Sequence, residues 1–235
     1  MKTKITNIST ICTWSPVEDK LLILYDVDIL VEDSTIIQIS KTVGGAEEEI
    51  DADGALITPG FVDSHTHPIF SGNRANEFEM RVGGKTYKEI SESGGGIISS
   101  INGVRNTDED QLFEECLERV NFFLWHGTTT IEAKSGYGLT MEDELKSLRV
   151  IKRLNEASPL DIIPTFMGAH AFPPEYQSNQ PKYIDLICEE MIPAVAEEKL
   201  AEYCDVFCEE GYFSVEDSRR ILNTAIKFGL TPRLH

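Results

Sequence analysis

The sequence is poor in basic residues. It has 21 Lys and Arg against 40 Asp and Glu, which gives a formal net charge of −19. This imbalance argues against nucleic acid and against an anionic membrane surface as partners. An anionic substrate would gain nothing from the overall charge, so its binding would require a local cation. We expect most of the acidic excess on a solvated surface.

Cysteine is scarce, and its spacing is irregular. The five cysteines are an odd number with no disulfide framework, which predicts free thiols in a reducing cytoplasm. Cys204 and Cys208 are close enough in sequence to suggest a metal site, but no second pair follows them. We therefore expect buried strand cysteines at these two positions.

Long apolar runs are also absent. The apolar stretch 21–31 is interrupted by Asp26 and Asp28 and is too short to span a bilayer. The N-terminus lacks the apolar core of a signal peptide. We expect no membrane partner and a cytoplasmic location.

The pattern of the chain changes near residue 60. Residues 1–59 predict a small N-terminal β domain, a partial sandwich, with strand-like runs at 22–31 and 35–39 and a turn at 32–34. Residues 60–235 alternate strands and helices, which predicts an α/β domain with a parallel sheet. No glycine fingerprint opens a helix after the first strand, so a nucleotide-binding fold is disfavoured. Polar residues at successive strand ends favour a (β/α)8 TIM-type barrel, of which we count five strands.

Capping signals predict three of the barrel helices. They begin near Thr107–Asp110, Thr140–Asp143 and Ser214–Asp217, each followed by an apolar stripe. The stretch 184–200 also has a helical pattern, and Pro193 should kink or split it.

The strongest functional signal is the run Thr58–His67. A short strand, expected to be buried, delivers His65 and His67, whose side chains share a face because they are two residues apart. The chain ends with another strand pattern and His235. These three histidines would give a metal three neutral nitrogens and leave a position open for water. The balancing carboxylate is expected from a later strand that the sequence does not contain.

Other candidate side chains have more than one interpretation. His170 suits a fourth metal ligand, a structural histidine or a substrate contact, and the Gly-Ala sequence before it favours substrate contact. Lys134 suits a carbamylated bridge between two metals. However, it lies on the second barrel strand, which is early for that role, so a structural ion pair with Glu132 is favoured. His126, beside Gly127, is predicted to cap a helix end.

A long insertion follows the first barrel strand. Its glycine run 94–96 is predicted to present backbone amides to a small ligand, rather than to serve as a flexible linker. Arg74 is the natural bidentate partner for a substrate carboxylate, the alternative being a surface pair with a nearby glutamate. Tyr87, together with Tyr137 on the next strand end, suits hydrogen bonding to a polar ring, and core packing is the alternative for each.

These motifs together resemble the imidazolonepropionases of the amidohydrolase superfamily. The His-x-His pair alone indicates only the superfamily, whereas the later motifs narrow the resemblance to one family. The motifs that carry the resemblance are Ser64–His67, Gly72–Arg74, Glu77–Arg81, Tyr87, Gly94–Ile97, Glu132–Gly138 and Gly168–Ala171.

The resemblance implies a reaction and a cofactor. The reaction is hydrolysis of the cyclic amide of 4-imidazolone-5-propanoate to N-formimidoyl-L-glutamate in histidine degradation, by water that a metal activates. The cofactor is one zinc or iron ion, held by His65, His67 and His235, and His235 is also the catalytic group of this set. A glutamate just past His235, a histidine and the metal-binding aspartate would lie beyond it, so we expect this chain to be the first part of a longer enzyme.

The resemblance also implies the substrate contacts. Arg74, Tyr87, Tyr137 and His170 match the family's substrate-binding positions, and the full-length parent is expected to be a homodimer. Two alternatives are a related cyclic amidohydrolase or deaminase acting on another small heterocycle, and an inactive truncated fragment. An uncharged substrate would not need Arg74, which separates the first alternative from the main hypothesis.

Overall fold

The computed structural model of the chain describes residues 1–86, 89–90 and 94–235. The chain divides into two compact units, Met1–Gly60 and Phe61–His235. Tyr87, one of the expected substrate contacts, lies outside the described residues.

The first unit contains two small sheets. One has the strand order β5-β4-β1-β6 and the other β3-β2-β7. The apolar run 22–31 is not one strand, because the chain turns at Asp26, which has a positive φ of 54°. A small apolar cluster of Ile8, Ile11 and Ile29 forms the core of this unit. The strands are β1 (Lys2–Thr6), β2 (Thr10–Ser15), β3 (Lys20–Tyr25), β4 (Asp28–Glu32), β5 (Thr35–Ser40), β6 (Glu48–Asp51) and β7 (Leu56–Ile57).

The second unit is built on one parallel sheet. Its strand order, β12-β11-β10-β9-β8, and its entirely parallel pairing confirm the five predicted barrel strands. Parallel neighbours require a crossover connection, and helices supply it between successive strands. The strands are β8 (Phe61–Thr66), β9 (Thr128–Lys134), β10 (Asp161–Ala169), β11 (Tyr203–Val206) and β12 (Thr231–Leu234).

Three helices of this unit begin where the capping signals predicted. The side chains of Asp108, Thr140 and Ser214 each accept a hydrogen bond from a backbone N–H in the first turn. A π-helical turn precedes Pro193, so the segment 180–197 is split as predicted. The helices are α1 (Ala75–Val82), α2 (Ile97–Asn106), α3 (Glu109–Trp125), α4 (Met141–Ala157), α5 (Gln180–Leu186), the π-helical turn Ile187–Met191, α6 (Ile192–Glu197) and α7 (Val215–Lys227).

Burial separates the centre of the sheet from its edge. The apolar stripes of α3 and α4 are buried against the sheet, as at Val120 and Leu148. In contrast, Phe61 and Val62 are 57% and 69% exposed. The prediction that β8 is buried is therefore wrong, because β8 is an edge strand that pairs, among the described strands, with β9 alone. Within the described ranges, none of the helices has the length and apolar character needed to cross a membrane.

The sheet is strongly curled. β8 and β12 are its two edges, yet the rings of His65 and His235 at their ends lie 4.7 Å apart. In a flat sheet of five strands these edges would be about 19 Å apart, at roughly 4.8 Å per strand. The curl therefore brings side chains from both edge strands to one place, which is what a partial barrel requires.

The core of the second unit provides a stability test. Leu148 is fully buried on α4, so Leu148→Ala should lower the free energy of unfolding by about 2–5 kcal/mol through lost transfer energy and a cavity. Ile226→Ala on α7 is the control, because Ile226 is 53% exposed. Urea unfolding measures both. Equal losses for the two variants would contradict the assignment of α4 to the core.

Candidate active site

Five chemically active side chains lie at the carboxyl ends of the parallel strands. His65 is near the end of β8 and His67 follows it. Lys134 ends β9, His170 follows β10, and His235 follows β12. Because parallel strands all end at the same rim, these residues converge, as they do at the active-site face of a barrel.

Four imidazole rings form one cluster at this rim. The ring centroids of His65 and His235 are 4.7 Å apart and edge-to-face, and those of His65 and His67 are 5.5 Å apart. His67 stacks on His170 with 4.7 Å between centroids. The structure thus gathers all three of the predicted metal ligands and one predicted substrate contact.

The environment of two of these rings keeps them neutral. Burial, followed by the charge on Lys134, lowers the pKa of His65. Burial, followed by His170 and His65, lowers the pKa of His67 to about 3. The Nδ1 atom of His67 is buried and has no hydrogen-bond partner among the described residues. Metal ligation needs unprotonated imidazoles, so these properties fit a metal ion.

A buried charge network lies beneath the histidines. The Lys134 side chain is 1% exposed, and its Nζ lies 2.9 Å from Glu132 Oε1 and 2.6 Å from Asp205 Oδ2. Arg233 also pairs with Glu132, at 2.7 Å. The predicted ion pair between Lys134 and Glu132 is therefore confirmed, and Lys134 has a second carboxylate partner.

Asp205 is the functional candidate that the sequence analysis missed. It extends from β11, and its Oδ2 lies 3.0 Å from Nδ1 of His235. Ligand atoms of His65, Asp205 and His235 all lie within 4.8 Å of one another. β11 thus places a carboxylate beside His235, whereas the metal-binding carboxylate expected from a later strand stays a prediction. The signal available in the sequence was a single carboxylate within the otherwise apolar strand 203–206.

The charge of Asp205 is stabilised despite its burial. Burial alone would raise the pKa of this carboxyl group. The hydrogen bond and charge of Lys134, followed by those of His235, outweigh burial and hold the pKa below its ordinary value. Asp205 is therefore an anion at neutral pH.

A further buried carboxylate, Glu144, shapes the loop after β9. Glu144 accepts hydrogen bonds from the backbone N–H groups of Gly136, Gly138 and Leu139 at 2.9–3.1 Å. Burial raises its pKa, and these hydrogen bonds oppose that effect. The carbonyl of Gly136 lies 2.9 Å from Nδ1 of His170. A carbonyl only accepts, so Nδ1 of His170 carries the proton and Nε2 has the lone pair.

Two cavities adjoin the histidines. Arg74 and Tyr137 line both, and burial raises the pKa of the Tyr137 hydroxyl, which stays protonated. Arg74 also pairs with Glu77, at 2.5 Å, so its predicted surface pair and its position at the site coexist. The cavity of about 300 Å³ is lined by His67, Phe70, Ser71, Asn73, Arg74, Ser99, Ser100 and Tyr137, and that of about 190 Å³ by Arg74, Ile97, Tyr137, His170, Phe207 and Tyr212.

Three further predictions can be compared with the structure. Nδ1 of His126 lies 2.7 Å from the carbonyl of Phe122 at the end of α3, which confirms the helix cap. Cys204 is buried on β11, as expected, but Cys208 lies beyond the strand and is half-buried. In the glycine run, the Gly96 amide donates to Glu77 at 3.0 Å. That amide therefore supports the partner of Arg74 instead of meeting a ligand.

Sequence comparison places the chain among known proteins. It is 48% identical over 231 residues to the imidazolonepropionase of Brevibacillus brevis, covering 92% of this chain and 53% of that protein. It is 45% identical to the imidazolonepropionase of Clostridium tetani, covering 98% of this chain and 58% of that protein. Along nearly its whole length, the chain is similar to imidazolonepropionases. It spans about half the length of these curated relatives, and no protein-family model matches it.

Solved structures support the fold. N-isopropylammelide isopropylaminohydrolase from Burkholderia multivorans matches with a TM-score of 0.64 at 19% identity, over 100% of this chain and 53% of that one. The 5-methylcytosine deaminase from Klebsiella pneumoniae matches with a TM-score of 0.64 at 15% identity, over 99% and 50%. The predicted fold, an incomplete (β/α)8 barrel, is confirmed.

The pKa of His67 leads to a test of the rim. Its folded value of about 3 lies below the unfolded value of about 6.5, so the unfolded chain binds more protons between these values. The stability that neutral His67 contributes is complete above pH 6.5 and is lost as the pH falls toward 3. In protein stripped of metal by a chelator, His67→Gln should remove roughly 3 kcal/mol of the stability loss between pH 7 and pH 4, at about 1.4 kcal/mol per pKa unit.

Urea unfolding of wild type and His67→Gln at several pH values measures this difference. The stability of wild type should fall more steeply than that of His67→Gln as the pH drops below 6.5. Parallel curves would show that His67 is not held neutral at the rim.

Proposed function

We propose that this chain carries the metal-binding and substrate-binding part of an imidazolonepropionase. The reaction is hydrolysis of the ring amide of 4-imidazolone-5-propanoate to N-formimidoyl-L-glutamate. The observation that carries the proposal is the meeting of His65 and His235, from opposite edges of the sheet, with His67 between them and the substrate cavity. The 48% identity to an imidazolonepropionase supports the choice of substrate.

In this proposal His65, His67 and His235 hold one metal ion. The lowered pKa values of His65 and His67, together with the unpartnered Nδ1 of His67, support this ligand set. When bound, such an ion polarises the carbonyl to be attacked and makes water a better nucleophile. A nitrogen-rich site suits either zinc or iron, and both remain within the proposal.

The cavity beside the metal ligands suits a small polar ring with an acidic tail. Arg74 offers a guanidinium for the propionate, and its pairing with Glu77 holds it in place. Tyr137, as a protonated hydroxyl, donates to the ring, and Nε2 of His170 accepts from a ring N–H. Arg74 is the local cation that a chain of net charge −19 would require for an anionic substrate.

The chain's own residues then orient the reaction. Arg74 fixes the tail at one end of the cavity, so that the ring lies toward His67 and His170. Tyr137 lies between the two cavities, with its ring 5.2 Å from His67 and 5.3 Å from His170. Holding the ring amide in one orientation lowers the entropic part of the barrier. The expected homodimer and cytoplasmic location remain predictions.

The metal assignment predicts a change in stoichiometry. The double variant His65→Ala/His67→Ala should lose most bound zinc or iron, because two of the three imidazole ligands lie at or just past the end of β8. Elemental analysis after metal loading and desalting measures the ratio of metal to protein. The exposed His126→Ala is the control, and it should retain the wild-type ratio. One full equivalent of metal bound to the double variant would contradict the assignment of His65 and His67 as ligands.

The substrate assignment predicts a selective loss of affinity. Arg74→Met should weaken binding of the propionate-bearing imidazolone by about 1.5–3 kcal/mol, because a charge-assisted hydrogen bond to the carboxylate is lost. A lactam of the same ring size without the carboxylate should be much less affected. Titration calorimetry measures both ligands, with Arg219→Met on α7 as the control, because Arg219 is exposed and lines a different cavity from Arg74. Equal losses for both ligands would show that Arg74 has a structural role and does not bind the carboxylate.

A further inference from the structure

The Asp205 carboxylate accepts hydrogen bonds from three different donors. Lys134 Nζ donates to Oδ2 at 2.6 Å, and the backbone N–H of Val206 donates to Oδ1 at 2.8 Å. Nδ1 of His235 lies 3.0 Å from Oδ2. An ionised carboxylate has no proton to give, so the proton of this last contact belongs to His235 Nδ1.

Two roles are open to a carboxylate in this position. Asp205 is close enough to His65 and His235 to be a metal ligand itself. However, its Oδ2 already receives two hydrogen bonds, and ligation through that atom would compete with Lys134. Lys134 is 1% exposed, so weakening its contact with Asp205 would cost much of the compensation for a buried charge. The hydrogen-bond pattern therefore favours a role in which Asp205 holds the ligand His235 and does not bind the metal itself.

We propose that Asp205 is a positioning residue that holds His235 in the Nδ1–H tautomer, so that Nε2 is the nitrogen presented to a metal ion. Lys134 donates a hydrogen bond to the same carboxylate and so holds Asp205 in place. This inference rests on the proposed metal site, and it assigns to this chain a carboxylate–histidine pair of the kind that orients metal-bound imidazoles. Lys134 also pairs with Glu132 on β9. The ion pairs therefore connect β9, through Asp205 on β11, to His235 after β12.

The tautomer is measured directly on the wild-type protein. In chelator-treated chain labelled with ¹⁵N-histidine, long-range ¹H–¹⁵N spectra at pH 7.5 distinguish Nδ1–H from Nε2–H rings, and His235→Gln assigns the signals. His235 should be in the Nδ1–H form. A predominantly Nε2–H form of His235 would overturn the proposal. This measurement needs no metal and no change at Asp205, so it stands even if Asp205 variants fail to fold.

The Asp205→Asn variant tests the consequence for metal binding. It preserves the side-chain shape but removes the charge. Its Nδ1–H population should fall, and its zinc affinity, measured by competition with a chromophoric chelator, should decrease about 10–100-fold while one equivalent still binds. Asp161→Asn is the control, because Asp161 is exposed at the opposite end of β10. Unchanged affinity would overturn the positioning role.

The remaining outcomes separate this proposal from the proposed function. Complete loss of stoichiometric zinc in Asp205→Asn, equal to that in His65→Ala/His67→Ala, would make Asp205 a ligand and overturn the positioning role. Retention of zinc by the His65/His67 double variant would instead defeat the proposed metal site. In that case the tautomer of His235 in metal-free protein still reports on Asp205 alone.

Discussion

The buried ammonium of Lys134 is the charge on which the site depends. It lies between Glu132 of its own strand and Asp205, two strands away, and is almost completely excluded from water. Without it, two carboxylates would face each other in a medium of low dielectric constant, which is strongly unfavourable. With it, Asp205 remains an anion that holds His235 on the next strand. One buried cation thus joins β9 and β11 to the ligand-bearing edge β12.

The curl of the sheet is the second constraint. His65 and His235 belong to opposite edges, and only a sheet closing toward a barrel brings their rings within 4.7 Å. The rim then contains neutral imidazoles on one side and a cavity with Arg74 and Tyr137 on the other. A ligand made of a polar ring and an acidic tail matches this arrangement, because the ring would face the imidazoles and the tail would face Arg74.

Local signals in the sequence were sufficient for much of this architecture. Capping residues such as Thr140 and Ser214 predicted helix starts, because a side-chain oxygen before an apolar stripe satisfies the first free N–H groups. The two-residue spacing predicted that His65 and His67 would meet, because alternation in a strand is a local property. The pairing of Lys134 with Glu132 on one strand followed from the same alternation.

What the sequence did not reveal depended on contacts between distant segments. Asp205 was missed because its role depends on Lys134 and His235, which lie 71 and 30 residues away in the chain. Glu144 was missed because its partners are backbone N–H groups of a loop, which carry no signature in residue type. The exposure of Phe61 was missed because an apolar strand pattern does not distinguish an edge strand from a central one.

The central claim is that one metal ion is held by histidines from both edges of the curled sheet. Anomalous diffraction from a crystal of the zinc-loaded chain, measured on both sides of the zinc absorption edge, tests this claim most directly. The account predicts a single strong peak within about 2.0–2.1 Å of one nitrogen each of His65, His67 and His235, with Asp205 on the far side of the His235 ring. A peak located elsewhere, or one bonded to Asp205 in place of His67, would contradict it.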